Sequence, residues 1–386
     1  MAAGATNTES STEIGHGRYL GEDLIFVISQ PRSGSTLLQR MLAGHSWIQT
    51  SAETWLMLHP VYGLRRRGIT TDYRAPWAVC AITEFLDQYA NGRETYLDGI
   101  RAFAQTVYGT AMARGGRRRF LDKTPRYTMI VPELIELFPA ARFILLLRNP
   151  LAVLSSELKT YVRGDWKTLA NFATDLVDAP ARIVAANERF ADRVLQVRYE
   201  ELVQRPEEEL KRICRYLDLP WEPGLEDYSQ TPAPKGIAND PVGIHRHARP
   251  STDSLETWRA LGQNEQTRHF ALAYLDSVGD GVVSKMGYDP QALKDAITAE
   301  VVTTGARRVF PWSIAIRPSS AWSLRDKITA SYYEGAAERG PLAGSFTVAG
   351  MLLKRLGNGL KRLLGFYEAP SSESVRPGSK AKRDDA

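Results

Sequence analysis

Asp23-Leu-Ile-Phe-Val-Ile-Ser29, then Gln30-Pro-Arg-Ser-Gly-Ser-Thr36, then Leu37-Leu-Gln-Arg-Met-Leu42 is the stretch that decides the fold. Its first segment is a run of β-formers long enough for one strand buried on both faces. Its last segment spaces Leu37, Leu38, Met41 and Leu42 at i, i+1, i+4 and i+5, which is helical. Strand followed by helix recurs along the chain. Arg119-Phe-Leu-Asp-Lys123 precedes a helix over Val131 to Phe138, with Pro132 in its first turn and Pro139 stopping it. Arg142-Phe-Ile-Leu-Leu-Leu-Arg148 leads through Asn149-Pro150 into a helix to about Tyr161, and Arg193-Val-Leu-Gln-Val-Arg-Tyr199 precedes one at Glu207–Leu217. Apolar strands alternating with helices imply a parallel sheet covered on both faces, an α/β doubly wound fold.

Working outward, residues 55–119 carry helical patterns and many aromatics but no strand signal. Thr231–Ser254 is rich in Pro, Gly and His and reads as a long loop, a length that is usually functional or disordered. A helix is expected from Ser254 to about Ser277, and 280–345 shows no decisive pattern. Residues 1–20 read as a mobile polar tail and 370–386 as a disordered one. The 386 residues are 43% hydrophobic and 24% charged, which excludes disorder throughout. The longest aliphatic or aromatic runs, Leu24–Ile28 and Phe143–Leu147, fall far short of the roughly 18 residues that span a membrane. No secretory leader is visible, so the expected location is the cytoplasm. Cys80 and Cys214 fit no metal spacing, and reduced thiols are expected rather than a bridge. A net charge of +5 suits an anionic ligand or surface and does not argue for nucleic acid.

A strand feeding a Gly/Ser turn and a helix start is an anion site on physical grounds. Backbone N–H groups and the positive end of the helix dipole converge there. Gly34 admits a close approach, Ser35 and Thr36 bring hydroxyls, and Arg32 brings charge. The same residues also suit a plain tight turn with a capping serine. They do not form a Walker loop, because no Lys follows the glycine. Arg148 stands where a second strand stops, and Ser155 and Ser156 lie on the helix after it. Parallel sheets bind ligands at the carboxyl ends of their strands, so both groups face one edge. An Arg with a Ser hydroxyl there can hold a second phosphate.

Strand–PRSGST–helix followed by strand–Arg–x7–Ser–helix resembles the sulfotransferases that use 3′-phosphoadenosine 5′-phosphosulfate (PAPS). The resemblance covers about 23–60, 119–160 and 193–222, and leans to the tyrosylprotein, glycan and bacterial small-molecule branches. It implies a P-loop-like three-layer fold with a helical acceptor-side insertion at 55–119. The sulfotransferase domain would span 21–290, with a helical extension over 291–369. It also implies PAPS as co-substrate, no metal, and sulfuryl transfer to a hydroxyl, less readily an amine, borne by a lipid, glycan, phenol or peptide. By the same comparison Arg32, Ser33, Gly34, Ser35 and Thr36 wrap the 5′-phosphosulfate, and Arg148 and Ser156 hold the 3′-phosphate. Tyr199, in a Tyr-Glu-x-Leu segment, approaches that phosphate. His245 and Arg246, in Asp240–Arg249, resemble a late loop closing over the co-substrate. Glu53 falls at the family's general base, and Lys123 and Arg32 at the charge facing the leaving oxygen. The chain departs from the pattern at Arg32, where some branches have Lys, and at Thr160, beside Lys159, where some carry a further basic residue.

Arg65–Arg67 and Arg117–Arg119 are short basic clusters that steer anions or merely solvate a face. In 346–366, Leu352, Leu353, Leu356, Leu360, Leu363 and Leu364 recur at helical spacing opposite Lys354, Arg355, Lys361 and Arg362. That pattern fits an anionic membrane surface on the cytoplasmic side, and equally a docking helix or an oligomer contact. Two rival functions remain open from sequence: a P-loop-type nucleotide phosphotransferase, and a catalytically inactive nucleotide-binding protein at a membrane surface.

Overall fold

A computed structural model of the chain describes residues 18–66, 68–229, 231, 247–304, 309–339, 345 and 347–354. β1 (Leu24–Ser29) runs through the turn into α1 (Ser35–Ala43), and β2 (Ile48–Thr50) follows. α2 (Leu58–Tyr62), α3 (Ala75–Leu86) and α4 (Gly92–Gly115) make up the helical stretch before β3 (Arg119–Lys123). α5 (Val131–Leu137), β4 (Arg142–Leu147), α6 (Pro150–Glu157), α7 (Ala179–Arg189) and β5 (Val194–Arg198) come next. α8 (Tyr199–Gln204), α9 (Pro206–Tyr216), α10 (Glu265–Val278), α11 (Asp280–Lys285), α12 (Pro290–Ala299), α13 (Trp312–Ala315) and α14 (Leu324–Arg339) complete the order.

Among the described residues five strands form one parallel sheet in the order β2-β3-β1-β4-β5. The chain leaves β1 to one side first and crosses to β4 on the other. Ligands bind at such a reversal, outside the carboxyl ends of the strands. Side chains alternate between two cores, as the period of a strand requires. Leu24, Phe26, Ile28, Phe120, Phe143, Leu145 and Leu147 pack on one face with the insertion helix α4. Ile25, Val27, Leu121, Ile144, Leu146 and Val197 pack on the other with α1 and α9. Each such side chain, wholly removed from water, contributes about 1.5–3 kcal/mol.

Two expectations are corrected. The helix after β4 is α-helical only to Glu157 and finishes in one π turn, Leu158–Val162. The helix expected from Ser254 is a 3-10 stretch, Thr257–Gln263, and then α10, because Asn264 has extended backbone and caps the new helix with its side chain. The stretch 280–345, patternless in sequence, holds α11, α12 and α13, whose Val283, Ile297 and Trp312 are buried. The chain divides into two compact units, one up to Pro318 and one from Ser319. The first includes α12, which lies just after the boundary at 290 drawn from sequence. Cys80, half-buried, and Cys214, buried, are free thiols. No described helix is long and apolar enough to cross a membrane.

Candidate active site

The turn after β1 takes its shape from two left-handed residues, Arg32 at φ 66° and Gly34 at φ 89°. Such alternation points successive N–H groups into one concavity. A Cβ on Gly34 would lie 2.3 Å from Cδ2 of Tyr199, so both the dihedral and the close approach demand glycine. No side chain caps α1, so the capping-serine alternative is not what the turn does, and its first N–H groups face the cleft.

Three strand ends meet above this turn. Arg148, at the end of β4, donates from Nη1 to the carbonyl of Arg32 (3.0 Å) and from Nη2 to Ser254 Oγ (3.3 Å). Its guanidinium lies 4.2 Å from the ring centroid of Tyr199, the first residue after β5. The Tyr199 hydroxyl stands 2.8 Å from the same Ser254 Oγ. Arg32 Nε donates to Ser156 Oγ at 3.0 Å, so the two residues proposed for different phosphates are already joined. Burial pushes the Arg148 guanidinium below its ordinary value, with Tyr199 and Glu200 opposing that shift. Beneath Arg32, burial raises the Glu157 carboxyl to about 7 against the pull of Arg32.

These residues line a cavity of about 700 Å³ with Ser35, Thr36, Arg40, Lys159, Arg163, Tyr228, His247 and Thr257. Sequence reasoning passed over Ser254, Arg40 and Arg163. Ser254 has no local signal at all, since it reaches Arg148 across 106 residues of chain. Thr160 lines the cavity together with Lys159 and Arg163. Among the described residues, Ser33 Oγ, Ser155 Oγ and Arg148 Nε are buried without a hydrogen-bond partner. Buried polar atoms of that kind normally have one. His245 and Arg246 lie outside the described residues, as does most of the loop Thr231–Ser254.

Glu53 and Lys123 meet each other at the ends of β2 and β3 and are not among the residues that line this cavity. Glu53 sits three residues past β2, an edge strand missed because three residues give no readable period. Gln39 on α1 ties this loop down through Thr50 Oγ1 (2.7 Å) and the Ser51 carbonyl (2.6 Å). Lys123, 1% exposed at the end of β3, donates to Glu53 Oε1 at 2.9 Å. The Trp55 indole donates to Glu53 Oε2 at 3.2 Å. Beside them Asp122 is a wholly buried carboxylate that accepts from Thr54 (2.6 Å), Tyr108 (2.6 Å), Tyr127 (3.0 Å) and Thr124 (2.8 Å). Burial raises its pKa, and those hydroxyl donors pull it back. No group of three His, Cys, Asp or Glu side chains among the described residues is placed to hold a metal.

The family model described as the sulfotransferase family matches residues 23–223. The nodulation protein NoeE of Sinorhizobium fredii is 30% identical over 315 residues, covering 74% of this chain and 72% of that protein. A putative protein-tyrosine sulfotransferase of Caenorhabditis briggsae is 26% identical, covering 71% and 91%. Among solved structures, the sulfotransferase domain from the curacin biosynthetic pathway aligns with a TM-score of 0.48 at 25% identity, covering 69% of this chain and 97% of that one.

Proposed function

The chain belongs to the sulfotransferase family and is a PAPS-dependent enzyme, and from that premise we propose how its own residues divide the work. The observation that carries the reading is a pair of orphaned buried groups, Ser155 Oγ and Arg148 Nε, at one cationic cavity above a left-handed turn. A polyanion bearing two separate phosphate groups supplies the acceptors that Ser155 and Arg148 lack. Ser33, Gly34, Ser35 and Thr36 cradle the 5′-phosphosulfate with backbone N–H groups and hydroxyls. Arg148, with Ser155 and Ser156, holds the 3′-phosphate by charge-assisted hydrogen bonds. Tyr199 backs Arg148, and Ser254 fixes both.

Across the cleft Glu53 takes the acceptor's hydroxyl proton as that oxygen attacks sulfur. The new S–O bond forms in line with the bond to the bridging oxygen, which leaves on phosphate. Lys123 and Arg32 stabilise the charge that grows on that oxygen. The acceptor carries a hydroxyl. Residues 347–354 are helical with Leu353 exposed, and the rest of 346–366 lies outside the described residues. Peripheral contact of that segment with an anionic membrane belongs to this proposal. A phosphotransferase reading is disfavoured by Ser35, which directly follows Gly34 where a Walker loop has its lysine.

Binding of 3′-phosphoadenosine 5′-phosphate against adenosine 5′-phosphate tests the site by titration calorimetry. The bisphosphate is expected to bind much the tighter. Arg148→Ala should remove about 10- to 100-fold of that preference, the worth of hydrogen bonds to a charged group. Equal affinities in the unaltered protein would refute the two-phosphate assignment.

A further inference from the structure

Trp55 occupies a backbone conformation that its side chain disfavours. Its φ is 54°, in the left-handed region where a bulky aromatic is a rare outlier. The buried frame around Asp122 imposes it. Thr54, one residue before, is anchored through its hydroxyl on Asp122, and Met57, two residues after, donates its N–H to the Tyr127 hydroxyl at 3.1 Å. The N–H of Trp55 itself points to Thr124 Oγ1 at 3.4 Å. Strain that is over-determined in this way gathers at ligand sites, where it places a group that relaxed backbone would not.

The group placed here is an indole 36% exposed, directly against Glu53. The Arg126 guanidinium lies 5.2 Å from the indole centroid and is locked by a bidentate pair with Asp175. The exposed ring is therefore bordered by Glu53 and by the Arg126–Asp175 fork, both hydrogen-bonding groups. An alkyl alcohol would leave the ring half-covered and the fork dry. A phenol has one hydroxyl, which Glu53 and Lys123 would use. A saccharide presents an apolar ring face to the indole and hydroxyls round its edge to the flanking charges.

We infer that Trp55 selects the acceptor by stacking against a saccharide ring whose hydroxyl faces Glu53. The inference rests on the sulfuryl-transfer reading above. Its test is transfer of labelled sulfuryl from PAPS by the full chain to three arms: oligosaccharides, phenols including a tyrosine peptide, and long-chain alcohols. Saccharides are the expected preferred arm. Trp55→Gly should raise the saccharide KM about 10-fold or more while bisphosphate affinity holds. It should leave Tm unchanged or higher, since glycine adopts positive φ without strain. Trp55→Phe keeps a ring and should hold KM within about 3-fold while kcat falls for want of the N–H on Glu53. Preference for either other arm, or an unaltered saccharide KM in the glycine variant, overturns the inference with the site reading intact. Loss of the bisphosphate preference in the unaltered protein overturns both.

Discussion

At the cationic cavity, the half proposed to face the phosphates, the polar groups sit on the ends of regular elements. Ser35 and Thr36 open α1, Arg148 closes β4, Ser155 and Ser156 ride α6, and Tyr199 opens α8. At the acceptor half, Glu53 and Trp55 stand on a loop between β2 and α2, and their geometry comes from side chains: Gln39 on one flank, Asp122 with Tyr108 and Tyr127 on the other. In the division of work we propose, the first half recognises a fixed nucleotide, and strand ends in a tightly paired sheet hold fixed positions. The second half must suit an acceptor, and loops on a rigid scaffold can vary without disturbing the sheet. The difference lies between backbone-built and side-chain-built sites.

That contrast can be broken by substitutions that should affect one half alone. The largest effect is expected from Glu53→Gln, which keeps shape and hydrogen bonding but cannot take a proton. Turnover should fall by about 10²–10⁴ while bisphosphate affinity stays constant, measured by single-turnover transfer and calorimetry. Near-normal turnover would move the base elsewhere, with His247 at the cavity the next residue to replace.

Glu157→Gln probes the ground under Arg32. Burial lifts this carboxyl from 4.5 to about 7, so the folded chain keeps a proton that the unfolded chain gives up. Stability from this site is full below pH 4.5 and lost as pH rises through 7. Glutamine removes that loss, so the variant should gain about 3 kcal/mol at pH 8, at about 1.36 per pH unit, and gain nothing at pH 4. Denaturant midpoints across pH 4–8 measure it, and a gain independent of pH would show that the carboxyl ionises normally.

The smallest effect separates Asp122 as a support from Asp122 as filler. Thr54→Val deletes one hydroxyl and keeps the volume, loosening the Glu53–Trp55 loop. We expect kcat to fall about 10-fold with bisphosphate affinity unchanged, and Thr54→Ser to restore it. A matched loss in the serine variant would count against the hydroxyl.

Legibility in the sequence divides along the same line. The Gln30–Thr36 turn and Arg148 could be read because each adjoins a strand whose apolar run announces itself, and parallel strands put all their carboxyl ends at one edge. Glu53 and Lys123 could be placed only by family likeness. Their 2.9 Å contact joins residues 70 apart, on β3 and after an edge strand too short for any period to show. Trp55 looked like one aromatic among many in 55–119, because backbone strain leaves no mark on composition.

The π turn at Leu158–Val162 and the break at Asn264 were likewise not read, since the apolar period runs on through both. The sequence by itself determined four of the five strands, the anion turn and Arg148 at its strand end, because these follow from hydrophobic period, glycine and strand direction. Only the tertiary structure decided that Ser254 bridges Arg148 and Tyr199, that Asp122 is buried on four hydroxyls, and that Trp55 leans on Glu53. Those contacts join residues through space whose separations along the chain carry no periodic signal, and only the closed packing of the sheet and its loops brings them within hydrogen-bond reach.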